Sequence, residues 1–296
     1  MRAYAHDRYT YPLPDGHRFP LSRYRLVRAA AEPLPGVDVI EARPASREEL
    51  TLGHEFDYLE RIEAGELSRR EVLALGLPWS TELVERARRS VGATLEASAA
   101  ALEDGVGANL GGGTHHAFPG AGRGFCVFND VVCAVRRLRA DGLLTRALVV
   151  DLDVHQGDGT HAALQGDPDA FTFSINGFAN YPFRRVPGDL ELDLPDGAGD
   201  DTYLAGLARL LPRAIRRARP ELCFFLAGAD PYVGDRLGRL SLTMAGLAAR
   251  DRLVRSELAR AGVPVCVTLA GGYADPIEDT VRINVETLRV FAGPTP

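Results

Sequence analysis

Lysine is missing altogether from this sequence of 296 residues: all 34 basic side chains are arginine, a compositional bias to which no mechanism attaches by itself. No apolar run reaches membrane-spanning length, and the opening Met1-Arg2-Ala3-Tyr4 lacks a signal-peptide pattern. The expectation is a cytoplasmic protein without a membrane partner. Cysteine is scarce, with only Cys126, Cys133, Cys223 and Cys266, and no C-x-x-C spacing joins any two of them. That argues against a disulfide framework and leaves Cys223 and Cys266, set in apolar runs, as core thiols. Positive charge is also in deficit: the net charge is −6 and the pI near 5.7, which argues against a nucleic-acid-binding surface. Repeats, low-complexity stretches and linker-like segments are missing too, so one domain is expected over residues 1–296. Nothing in the sequence speaks to oligomeric state.

What is present is an ordinary globular balance, 46% hydrophobic and 25% charged residues, enough for a sizeable core. A short strand and a proline-rich loop occupy the first 20 residues, followed by a helix over 22–31 and a strand over 37–41. Ser46 and Glu49 form a capping box that opens a mostly helical stretch to about Leu75, interrupted at Gly53-His54 and Gly65. Ser80 caps a long helix to Leu102, in which Gly92, Ala93, Ala97 and Ala100 permit close packing. Strands and helices then alternate. Strands are expected over 106–110, 146–150, 170–175, 221–227 and 264–269, and helices over 130–140, 200–219, 241–261 and 276–291. Asn129 caps the first of these helices and Gly142 stops it. Such alternation predicts an α/β fold, a doubly wound and mostly parallel sheet with helices on both faces.

Ligands of open parallel sheets bind outside the carboxyl ends of the strands, and here four strands end in polar groups. The run 146–150 leads into Asp151-Leu152-Asp153-Val154-His155-Gln156-Gly157-Asp158-Gly159, and strand alternation puts Asp151, Asp153 and His155 on one face. With Asp230, at the end of another strand, Asp153 and His155 make three protein ligands with a place left for water. That is the pattern of catalytic rather than structural zinc. Two oxygens and one nitrogen also suit Fe²⁺, Co²⁺ or Mn²⁺. His115-His116 follow Gly111-Gly112-Gly113, where the backbone can approach a substrate closely. Asp151 and Asp158 are available to fix the histidine tautomers and raise their basicity. Tyr273, after Gly271-Gly272, could donate its O–H to a developing oxyanion.

These segments, together with Gly124-Phe125-Cys126-Val127-Phe128-Asn129-Asp130 and Ala227-Gly228-Ala229-Asp230, resemble the histone deacetylase superfamily, which also covers acetoin-utilisation proteins and acetylpolyamine amidohydrolases. They occur in family order from 111 to 273. Weaker agreement, including His17-Arg18-Phe19-Pro20, extends the resemblance over nearly the whole chain. Gln156, after the metal-binding histidine, is similar to the class IV branch and its bacterial relatives. The resemblance implies an arginase/deacetylase-like fold and removal of acetyl or longer acyl groups from lysine side chains or small acylated amines. It implies zinc on Asp153, His155 and Asp230, His116 as general base and then acid oriented by Asp158, His115 with Asp151 as electrostatic partner, and Tyr273 at the oxyanion. It further implies Phe125 as one wall of an acyl-lysine channel with Gly124 and Cys126 beside it, and Tyr181 as the opposite wall. A structural K⁺ would use Asp151, Asp153, His155, Ser174 and the Ile175 carbonyl. The acidic loop residue that holds the peptide backbone in class I enzymes has no counterpart. Two other readings stand beside this one. The first is an arginase-like dinuclear manganese hydrolase, which also places Asp-x-Asp-x-His at a strand end. The second is an acyl-amine binding protein without catalysis.

Overall fold

The computed structural model of the protein describes residues 1–294. Its eight strands are β1 (Arg2–Ala5), β2 (Asp38–Glu41), β3 (Val106–Asn109), β4 (Ala147–Asp151), β5 (Ala170–Gly177), β6 (Leu190–Leu194), β7 (Leu222–Leu226) and β8 (Val265–Thr268). They pair in the order β2-β1-β3-β8-β7-β4-β5-β6, every pair parallel. Parallel sheets need cover on both faces, so their central strands carry apolar side chains on both sides. β4 shows this directly: Ala147 and Val149 feed one core cluster while Leu148 and Val150 feed the other. β7 divides likewise, with Leu222, Phe224 and Leu226 on one side and Cys223 and Phe225 opposite.

Among the described residues the cover comes from ten α-helices: α1 (Ser22–Ala31), α2 (Arg47–Thr51), α3 (Phe56–Ala64), α4 (Arg69–Leu75), α5 (Thr81–Asp104), α6 (Asp130–Ala140), α7 (Asp158–Leu164), α8 (Asp200–Ala218), α9 (Met244–Arg260) and α10 (Ile277–Ala292). Helices α2, α3, α5, α6 and α7 bury residues such as Leu50, Leu59, Val91, Val132 and Leu164 on one face of the sheet. Helices α1, α8, α9 and α10 bury Val27, Tyr203, Leu247 and Leu288 on the other. Among the described residues no helix is long and apolar enough to cross a membrane. All four cysteines are buried and unpaired, and Cys223 and Cys266 sit inside the core.

The capping box at Ser46 is present, and Ser80 and Asn129 cap their helices as expected. One expectation changes. The helix expected from Ser241 begins at Met244, because the Thr243 hydroxyl accepts the Gly246 N–H and does the capping. Two elements went unread. α7 opens with Gly157, Asp158 and Gly159, a turn-like start, and β6 is an edge strand beside a proline-rich loop.

Helix α5 lies against β3 and the segment before α2 without room for side chains. A Cβ on Gly92 would stand 2.0 Å from the Arg43 carbonyl oxygen, and one on Gly107 would stand 2.1 Å from that of Ala97. Both obstacles are backbone. In an exposed helix Gly→Ala stabilises by about 1 kcal/mol; here overpacking costs about 1–3 kcal/mol or more and wins. Gly92→Ala is therefore expected to lower the denaturation midpoint at unchanged m-value. A raised midpoint would show that the helix shifts freely.

Candidate active site

The four strands that carry polar residues at their carboxyl ends are neighbours, in the order β3-β8-β7-β4. Their loops therefore meet. β4 ends at Asp151, so alternation along a strand does not place the next two residues. Two carboxylate-to-backbone bonds do: Asp151 Oδ1 accepts the Asp153 N–H at 3.1 Å, and Asp153 Oδ1 accepts the His155 N–H at 2.9 Å. The chain turns off the sheet, and Asp151 parts from the other two. Asp153, His155 and Asp230 then converge, with one potential ligand atom from each lying within 4.8 Å of the others.

Backbone groups hold this trio in place. Asp153 Oδ2 accepts the Gly271 N–H at 2.7 Å and Asp230 Oδ1 accepts the Val154 N–H at 2.9 Å. Gly271 has to be glycine, since a Cβ there would stand 1.9 Å from Asp230 Oδ2. That oxygen is buried and makes no well-aligned hydrogen bond; the donor beside it is His155 Nδ1, which lies 3.2 Å from it and 2.9 Å from Asp153 Oδ1. Burial pushes Asp230 up to about 7, with the charge of Asp153 adding to it. Burial opposes a charged His155, but Asp153 and Asp230 outweigh it and push the imidazole up to about 10. Two crowded carboxylates thus draw positive charge to one point. Two buried carboxylates and an imidazole converging on one point are a donor set that suits a divalent cation, so the residues fit a metal.

The tandem histidines divide. His115 Nδ1 is 2.7 Å from Asp151 Oδ2, and His116 Nδ1 is 2.7 Å from Asp158 Oδ1. Each carboxylate therefore accepts a hydrogen bond from an Nδ1–H and leaves Nε2 for other work. Burial disfavours both imidazoliums. For His115 the charges of Asp151 and Asp153 overcome it and raise the ring to about 9. For His116 burial prevails, helped by the positive charge of His115, and the ring falls to about 4. The two rings are thus pushed in opposite directions, His115 toward the cation and His116 toward the neutral form.

Both rings, with Asp153, His155 and Tyr273, line a cavity of about 30 Å³, room for a water or two. Outside it opens a mouth of about 870 Å³, lined by His116, His155, Tyr273, Gly124, Phe125 and Tyr181 but not by His115. Tyr181 packs edge-on to His116 at 4.8 Å between centroids, and Phe125 stands 6.1 Å from Tyr273. Gly124 has φ +52°, and a Cβ there would be 2.7 Å from the His116 ring. Cys126 is buried behind it, its Sγ 3.5 Å from the Gly124 carbonyl. The Tyr273 backbone N–H donates to Asp235 at 2.5 Å, and burial raises the phenol so that it stays a donor. Ser174 lies opposite Asp151 in the sheet, its hydroxyl 3.2 Å from Asn176 Oδ1, and Ile175 is fully buried beside it.

Three supporting residues escaped the sequence reading. Arg250, wholly buried in α9, donates to the carbonyls of Gly228 at 2.5 Å and Leu152 at 3.3 Å, tying together the loops that carry Asp230 and Asp153. An arginine on an amphipathic helix gives no sign of pointing inward. Asp130, quoted only as part of a segment, accepts the Gly113 and Thr114 N–H groups and the Thr94 and Thr114 hydroxyls, fixing the turn before the histidines. His54 accepts the Asn129 N–H at Nε2, 2.9 Å away, with Nδ1 3.3 Å from the Pro119 carbonyl.

Burial depresses His54 to about 4, against about 6.5 for the unfolded ring. A lowered folded value means that its contribution is complete above about 6.5 and is lost as pH falls from there through about 4, because the unfolded state takes the proton first. The slope is at most about 1.4 kcal/mol per pH unit. The stability advantage of the wild type over His54→Gln should therefore shrink between pH 7 and pH 5 in denaturant titrations. A pH-independent difference would contradict a neutral, hydrogen-bonded His54.

Comparison with known proteins agrees with this geometry. Residues 17–288 match the histone deacetylase domain. A protein of uncharacterized function from Picosynechococcus is 43% identical over 279 residues, covering 93% of each chain. Histone deacetylase 2 of Arabidopsis thaliana is 30% identical over 265 residues, covering 84% of this chain and 67% of its own. In three dimensions, a crystal structure of a histone deacetylase homologue from Aquifex aeolicus superposes with a TM-score of 0.84 at 24% identity, covering 100% of this chain and 85% of that one. The arrangement of sheet and helices is therefore an arginase/deacetylase fold, and the chain belongs to the histone deacetylase family.

Proposed function

We propose that this protein is a metal-dependent amidohydrolase that removes acetyl or longer acyl groups from lysine side chains or related primary amines. One observation carries the reading. A neutral, carboxylate-oriented imidazole, His116, stands where the Asp153–His155–Asp230 trio meets a channel walled by Phe125 and Tyr181. That channel suits an unbranched acyl-amine chain: aromatic walls bury its methylenes, and the polar floor receives the amide.

Asp153, His155 and Asp230 would hold a divalent cation, Zn²⁺ or Fe²⁺, whose Lewis acidity lowers the pKa of water to ~7 and polarises a carbonyl. His116 Nε2 takes the proton of the attacking water, while Asp158 accepts the hydrogen bond of the Nδ1–H, which stays on the ring, and stabilises the imidazolium that forms. The same imidazolium then returns its proton to the departing amine. His115, held cationic by Asp151, offsets negative charge at the reacting centre and keeps His116 neutral beforehand. Tyr273 lines both the inner cavity and the mouth and donates to the carbonyl oxygen as charge develops there.

Steady-state kinetics on a panel of acyl-lysine peptides and acetylated polyamines tests this reading. His116→Ala should lose about 10²-fold or more in kcat and lose more than His115→Ala. Tyr273→Phe should lower kcat and kcat/KM together by about 10²–10³-fold, as for an oxyanion donor used only in the transition state. No hydrolysis of any amide on the panel would sink the activity. A near-wild-type kcat for Tyr273→Phe would return that residue to a wall of the channel.

A further inference from the structure

Six arginines surround the mouth of the channel, Arg18, Arg70, Arg123, Arg184, Arg236 and Arg239, and no aspartate or glutamate lines it. The concentration runs against the chain's overall charge of −6. The arginines come from the loop before α1, from α4, from the loop before α6, from the β5–β6 loop and from the β7–α9 loop, so the ring belongs to no single charged helix. Arg236 and Arg239 have carboxylate partners, Asp275 and Asp196. Among the described residues Arg18, Arg70, Arg123 and Arg184 make no ion pair. Arg18 instead lies 5.3 Å over the Phe125 ring, which fixes one positive charge at the channel wall.

We propose that the substrate is an acyl-lysine set in an acidic peptide segment, with flanking carboxylates held by this arginine ring. The inference rests on the deacylase reading and adds what lies on either side of the reacting side chain. Four unpaired guanidiniums at the lip of a cleft raise the local concentration of an anionic substrate and repel a cationic one, which disfavours acylated polyamines and arginine- or lysine-flanked sites. Guanidinium forks match carboxylates in two-point contacts. A peptide fits better than a small anion because Phe183 and Leu73, 89% and 72% exposed, stand among the arginines and offer apolar surface to neighbouring side chains.

The test compares acetyl-lysine peptides of one length flanked by aspartate, by serine or by arginine, together with acetylspermidine, at low and at 1 M ionic strength. Expected at low salt is a kcat/KM about 10- to 100-fold higher for the aspartate-flanked than for the arginine-flanked peptide, with acetylspermidine among the poorest. The ratio should collapse toward unity at 1 M, where the screening length is about 3 Å. Arg70→Glu/Arg184→Glu should lower the low-salt ratio about tenfold or more. The salt dependence of the wild-type protein supplies the same information should that variant fold poorly. Hydrolysis of the serine-flanked peptide with no preference for acidic flanks, or with preference for basic ones, overturns the arginine-ring proposal and leaves the deacylase reading intact. Hydrolysis of none of the four substrates removes both.

Discussion

Four aspartates, Asp151, Asp153, Asp158 and Asp230, are at most 2% exposed at one end of the sheet, and the protein has to offset their charge. A buried carboxylate without a partner costs several kcal/mol, so each must be paired or bound. Asp151 and Asp158 take the two tandem histidines, and Asp153 takes His155 and two backbone N–H groups. Asp230 receives the Val154 N–H on one oxygen only. The rest of the structure follows from this requirement. Gly271 is bare so that its N–H can reach a carboxylate, Asp130 gathers the turn before the histidines, and Arg250 is drawn inside to hold two carbonyls. The other Asp230 oxygen has no well-aligned hydrogen bond and faces His155 Nδ1 at 3.2 Å, within the Asp153–His155–Asp230 group that could hold a metal ion.

Charge is also divided along the channel. The inner cavity is lined by Asp153 and three imidazoles, with Arg23 and Arg86 also on its wall, and the lining of the outer mouth holds six arginines and no carboxylate among the described residues. Phe125 lines both spaces, and Tyr181 lines the mouth, packed against His116. The missing lysine has no part in this account; arginine alone supplies the rim.

Most of the sheet was legible because buried parallel strands are continuous apolar runs, as in Leu148-Val149-Val150 and Cys223-Phe224-Phe225. The polar residues just after them were legible for the same reason, since Asp153, His155 and Asp230 interrupt such runs abruptly. What alternation could not supply was their final positions, which depend on side chains accepting backbone N–H groups across 2 to 118 residues. Edge strand β6 and the short helix α7 carry weak periodicity. Arg250 and His54 are polar residues whose burial depends wholly on partners distant in sequence. The arginine ring was equally silent, because its members span residues 18 to 239 and only the fold assembles them.

The central claim is that the buried negative charge at Asp153, His155 and Asp230 is completed by one divalent cation that hydrolysis requires. Its most direct measurement is a titration of metal-stripped protein with Zn²⁺ or Fe²⁺, following bound ion and hydrolysis of an acyl-lysine peptide in the same samples. The account predicts one tightly bound ion per chain, activity rising in proportion to it, and both lost in Asp230→Asn. Two tightly bound ions per chain, or full activity in metal-free protein, would contradict it.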